Sequence, residues 1–294
     1  MSGATGQVIS HDDFDAIRNK VIAVLGSGAG STGYGQTVLS TYANTSDIIY
    51  KSSYDALRYD LINIGLHQTG VVPTVNQIST TDPVRYGPGN PNTDYNSLID
   101  SYTASKFATG IGQTILTLKQ TQSSTATWYT TATAQATVSF STADQARYFF
   151  NSGGQILFNV QRSGGSSTPR NGAWTNILNT AGLQGLGGAN GVYTLTNTDQ
   201  RFYTINSSTP YSNNHLDLNA RCNVANNSSG TATVFTVTAV LTDYITGAEA
   251  AVGDYVDGTL SFSLYEQKAS GAMQPSGTFT IASPTYSLSI TSIS

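Results

Sequence analysis

Residues 21–36, VIAVLGSGAGSTGYGQ, decide between two folds. Gly28-Ala-Gly30-Ser-Thr-Gly33 spells G-x-G-x-x-G, which between a strand and a helix cradles a pyrophosphate and opens a doubly wound α/β sheet. The flanks deny that context. Before the glycines, Phe14, Ile17, Val21, Val24 and Leu25 recur at i, i+3, i+7, i+10 and i+11, the stripe of an amphipathic helix. After them, TVLSTYANTSDII has no helical period, and Asp47 comes only 14 residues past Gly33, where the fingerprint wants an acid about 20 residues on. No Gly-Lys-Ser/Thr follows and no βαβ alternation exists. The sequence therefore predicts a helix stop and a closely packed loop, whose backbone can lie against another chain. No nucleotide or other cofactor is expected.

Two more helical patterns lie on the C-terminal side of this loop. SSYDALRYDLINIGLHQTG carries Tyr54, Leu57, Leu61 and Ile64 in register. Ser52-x-x-Asp55 reads as its capping box, and Gly65 or Gly70 as its stop. Phe14-Asp-Ala-Ile-Arg18 aligns with Tyr54-Asp-Ala-Leu-Arg58 at an offset of 40, which predicts two helices packed with similar faces. TDYNSLIDSYTASKF supplies a third stripe through Tyr95, Leu98, Ile99, Tyr102 and Phe107. Between the second and third helices runs GVVPTVNQISTTDPVRYGPGNPN, with Pro73, Pro83, Pro88, Pro91 and Tyr86; a loop this long is usually functional, disordered or laid on a partner.

From about residue 126 the period becomes two. Ala134, Ala136, Val138 and Phe140 alternate with polar residues; so do Ile156, Phe158 and Val160, then Leu216, Leu218, Ala220, Cys222 and Val224. Leu260, Phe262 and Leu264, and Tyr286, Leu288 and Ile290, repeat the pattern, while TVFTVTAVL is apolar on both faces and reads as a central strand. STADQARYFFNSGG, with Ser141-x-x-Asp144 as a capping box, and GAWTNILNTAG read as short helices capping the sheets, with Phe149, Phe150 and Trp174 inward. The fold expected is α+β: a small helical segment over 1–120, loop-rich and suited to anchoring, then an antiparallel β-sandwich over 121–294 with two short capping helices.

Charged residues are only 10% of the chain, against about 25% in ordinary soluble domains, and net charge is -4 with no basic patch. Nucleic-acid binding is not expected. No apolar run approaches the roughly 20 residues that cross a bilayer, and MSGATGQVISHDDF lacks a secretory pattern. The lone Cys222 reads as a buried inert thiol. His11, His67 and His215 have no metal-ligand spacing, and no G-x-S-x-G elbow occurs, so neither metal site nor enzyme is expected. Asp243, Glu249, Asp254, Asp257 and Glu266 fall near predicted turns and read as solvated acids. Tyr86, Tyr95, Tyr193, Tyr203, Tyr211 and Tyr255 fall in or near predicted loops, where tyrosine suits protein or carbohydrate contact.

Two stretches carry a resemblance. DDFDAIRNKVIAVLGSGAGSTGYGQTV with the later LHQTG resembles the N-terminal region of virion structural proteins of tailed phages, especially myoviruses of marine cyanobacteria. ADQARYFFNSGGQILFNVQRSGGS followed by AWTNIL resembles a segment of structural and fibre-like proteins of such phages. The resemblance implies a non-enzymatic virion component of the tail, neck or fibre apparatus, made in the host cytoplasm and released by lysis. Its partners would be copies of itself in a cyclic homo-oligomer, and other virion proteins. The alternatives are a capsid head-decoration protein, or a receptor-binding module for host surface glycan. The residues expected at the assembly interface are Phe14, Ile17, Gly28, Gly30, Gly33, Tyr34, Tyr54, Leu57 and Tyr86.

Overall fold

The computed structural model describes residues 11–43, 49–78, 95–110, 114–187, 191–244 and 255–294. They group into two compact units. The first comprises Met1–Ile115, Arg147–Gly154 and Lys268–Ala282; the second comprises Leu116–Ala146, Gln155–Gln267 and Ser283–Ser294. The architecture is α+β, with three N-terminal helices followed by two packed antiparallel sheets and interspersed helices.

In the first unit, α1 (His11–Val24), α2 (Lys51–Thr69) and α3 (Tyr95–Ala104) pack through their apolar stripes. One ring from each meets in the centre: Phe14 lies edge-on to Tyr54 at 5.2 Å, and Tyr54 tilts against Tyr95 at 6.3 Å. The repeated Asp-Ala-x-Arg runs have a shared task. Arg18 Nε donates to Ser40 O, and Arg58 Nε donates to Val75 O, so each helix holds the extended chain that follows it. Asp60 of α2 accepts from the amides of Leu39 and Ser40 at 2.8 and 2.9 Å and from the Ser40 hydroxyl.

Two details differ from the sequence reading. Ser52 caps nothing: α2 begins at Lys51 after an extended Tyr50, and Asp55 pairs with Lys51 at 2.6 Å, one turn away. Gly65 does not end the helix. It sits mid-helix because the Tyr102 hydroxyl of α3 and Pro73 occupy the space a side chain would need; left-handed Gly70 is the stop.

Two later stretches complete this unit. α4 (Ala143–Asn151) starts within the second unit, capped by Thr142 Oγ1 rather than Ser141, and from Arg147 onward belongs to the first. Lys268–Ala282 returns as an arm holding a two-strand pair, β9 (Gly271–Ala272) and β10 (Thr278–Phe279). Two side-chain amides grip the arm as a neighbouring strand would. Asn63 exchanges both hydrogen bonds with the Gln274 backbone, at 2.6 and 3.0 Å, and Gln36 does so with Thr280, at 3.1 and 3.2 Å.

The second unit holds two sheets. One orders β1 (Thr114–Ser124), β8 (Thr259–Ala269), β3 (Gln155–Ser163) and β4 (Gln184–Gly187); the other orders β11 (Thr285–Ile293), β2 (Thr131–Ser139), β7 (Val234–Thr242), β6 (His215–Cys222) and β5 (Gln200–Asn206). The alternating residues form the core: Ala132, Ala134, Ala136 and Val138 of β2, Leu216, Leu218 and Ala220 of β6, and Leu260, Phe262 and Leu264 of β8 are all buried. β7 is the middle strand of five, as its two apolar faces predict. α5 (Pro169–Ala181) packs on β3, with Thr168 as N-cap, Pro169 in its first turn and Trp174 buried beneath it.

Candidate functional site

The glycine loop closes the C-terminus of α1. Amides of Gly33, Gly35 and Gln36 donate to the carbonyls of Ala23, Gly26 and Leu25, at 2.7, 2.8 and 2.9 Å. Those carbonyls are the negative end of a helix, the opposite of what a phosphate needs. Gly33 has φ of 86°, and a Cβ there would lie 2.6 Å from Gly26 O. The loop is also held from outside its own sequence. Asn151, in the last turn of α4, directs its amide nitrogen at the carbonyls of Gly30, Thr32 and Gly33, at 3.3, 3.0 and 3.1 Å.

The other residues expected at an assembly interface lie inside the first unit. Phe14, Ile17, Tyr54, Leu57 and Tyr34 are buried within it, and in the single chain they offer almost no surface to a neighbour. Tyr34 donates to Lys106 O and accepts from Gln68 Nε2 at 2.8 Å, while burial pushes its phenol far up. Tyr86 lies outside the described residues. Beside Tyr34 stands His67, stacked on Phe279 of the arm at 4.2 Å with the rings 5° from parallel. Burial lowers the imidazole to about 4, with the Ser152 backbone opposing the shift; no group among the described residues meets either ring nitrogen at hydrogen-bond geometry.

The acids of the second unit correct the expectation of solvated turns. Glu266 and Asp243 are buried, because each extends the inward parity of its strand: Leu260, Phe262, Leu264, then Glu266; and Phe235, Val237, Ala239, Leu241, then Asp243. Glu266 accepts from the hydroxyls of Tyr286 and Ser283 and pairs with Lys119 at 3.2 Å, so β8 of one sheet is tied to β11 of the other. Asp243 accepts from Trp174 Nε1 at 2.9 Å and from Asn214, with Arg170 at 3.7 Å. Both carboxylates are buried, and each ties separate parts of the second unit together. Asp257 is partly exposed, as the turn reading expects; Glu249 and Asp254 lie outside the described residues. Among the described residues no three His, Cys, Asp or Glu side chains gather as metal ligands.

No family model, curated protein or solved structure matches the chain.

Of the tyrosines placed in or near loops by sequence, Tyr95 is buried at the start of α3, as its place in the third helical stripe predicts, and Tyr203 belongs to β5, whereas Tyr255 is exposed. The surface feature that sequence reasoning missed is β1. It is an edge strand, bound on one side to β8, where Thr121 meets Ser263 and Ser123 meets Ser261 through their hydroxyls at 3.0 and 2.8 Å. Among the described residues no strand pairs with its other side. Leu116 and Leu118, two residues apart and thus on one side of the strand, are 52% and 53% exposed.

Proposed function

We propose that the chain is a non-enzymatic virion structural protein of the tail, neck or fibre apparatus, acting through assembly with copies of itself and other virion proteins. One observation carries this reading: the open edge of β1 presents backbone donors and acceptors beside exposed Leu116 and Leu118. A long apolar edge is a pairing template, and proteins that stay single blunt such edges with charge or proline. Here Lys119 is the only charge in the strand, and it pairs with Glu266. An edge that takes a neighbour's strand suits a ring of identical subunits. The low charge of the whole chain fits surfaces covered by other subunits.

Quantitative mass spectrometry of gradient-purified particles, scaled to the major capsid protein, tests the reading. Tens of copies or fewer are expected for tail, neck or fibre. Hundreds would move the chain to capsid decoration or a repeated tail layer, and absence from particles would overturn the reading.

A further inference from the structure

Trp128 and Val256 form a single antiparallel bridge in the second unit, each amide donating to the other's carbonyl at 2.9 and 2.8 Å. The bridge sets Tyr129 directly across from Tyr255. Their rings meet edge to face at 5.3 Å and remain 46% and 47% exposed.

The floor beneath the rings is rigid. Trp128 is buried and lies 4.7 Å from Trp174, which Asp243 fixes by hydrogen bond. The amides of Tyr129 and Thr130 both donate to Ser294 O, at 3.0 and 2.9 Å. The backbone that carries the rings is therefore set before any ligand arrives, which lowers the ordering cost of binding.

An oriented carboxylate stands alongside. Asp257 follows Tyr255 by two residues, and buried Val256 between them leaves both on the outer side. Its carboxylate accepts from the Ser166 amide at 3.0 and 3.1 Å, the Ser166 hydroxyl at 3.0 Å, Arg162 at 3.2 Å and the Asn171 amide. The Ser166 amide above all, with the other donors, holds its pKa below the ordinary carboxylate value. Arg162 is itself 5% exposed and paired with this carboxylate, so the two charges largely offset and the guanidinium is not presented to solvent.

These features select a ligand class. An aromatic face takes the C–H face of a sugar ring, and a fixed carboxylate takes its hydroxyl protons. Thr130, next to Tyr129 in the chain, and Ser294, whose carbonyl the Tyr129 amide meets, are polar, as the surroundings of a sugar's hydroxyls need to be. The cation of this cluster, Arg162, is buried and already paired, so it offers an anionic ligand no partner. We propose that Tyr129, Tyr255 and Asp257 form a subsite for a neutral glycan, with the sugar ring on the tyrosines and its hydroxyls donating to Asp257. This does not rest on the assembly reading.

The test uses the full chain on an array of neutral oligomers of glucose, galactose, mannose and N-acetylglucosamine, then calorimetry with the best of them. Tyr129→Ala and Tyr255→Ala should each weaken binding about tenfold, the double variant should abolish it, and Asp257→Asn should weaken it with both rings in place. Thermal melts confirm that the variants fold, and Tyr42→Ala, an exposed tyrosine of the first unit, should bind like the parent. No binding to any arrayed glycan overturns the proposal, as does binding that survives the double substitution. A double variant whose oligomer dissociates in light scattering would assign the tyrosines to a subunit contact, and that also overturns it.

Discussion

A single carboxamide, that of Asn151, holds the glycine loop by three carbonyls, and its chemistry gives a prediction with a definite order. Asn151→Ala removes the donor and leaves those carbonyls short of a partner in a buried place, which should cost about 1–3 kcal/mol. Asn151→Asp keeps the shape but turns an acceptor toward three acceptors, so it should be the less stable of the two. Urea midpoints of both variants read the order directly; an aspartate variant as stable as the parent would refute the donor role. Nothing near Asn151 in the sequence announces this task, since its targets lie more than a hundred residues earlier. Glu266 and Asp243 are different: each sits at the inward parity of a strand whose period is plain, and parity alone predicts burial. Their proximity to turns points the other way, and parity prevails because the strands run on to meet their partners.

Between elements, the contact of α2 with the β9–β10 arm depends on a neutral imidazole. Unfolded His67 takes up a proton near 6.5, but in the fold it does so only near 4, because burial against Phe279 and Tyr34 removes water from the charged form. Between these values the unfolded chain binds more protons. Stability should therefore fall as pH drops from about 6.5 to about 4, by at most about 3 kcal/mol, with no further loss from this group below that. His67→Leu should flatten that part of the profile, as urea unfolding at pH 7 and pH 5 would reveal; an unchanged slope would assign the acid sensitivity elsewhere. The elements easiest to read are those with one wet and one dry face: α1, β2, β6 and β8 show their periods openly, and α2 shows its stripe although residues 60–65 are buried on every side. β1 escapes because an edge strand with exposed leucines and alternating hydroxyls has no dry face to give it a period. β4, β9 and β10 are too short to have one. The exposed tyrosine pair is half legible: Tyr255 lies in a turn-rich stretch, but its partner Tyr129 is set opposite by a bridge more than a hundred residues away in sequence.

At the scale of the whole molecule, the open edge of β1 makes association the predicted state. Leu116→Lys with Leu118→Lys places two charges on that edge without touching the core, and should shift the light-scattering mass from oligomer to single chain. A parent protein that is already a single chain at micromolar concentration would remove the basis of the assembly proposal. The first unit also has an unusual relation to time. Domains generally fold in the order in which they leave the ribosome. The three helices emerge first, yet the residue that fastens their glycine loop is Asn151, and the ring that stacks on His67 is Phe279. The earliest-made part must wait for some of the last. A chain cut short before residue 279 would lack the ring that stacks on His67, and limited proteolysis should cut the helices of a 1–278 truncation faster than those of the full chain.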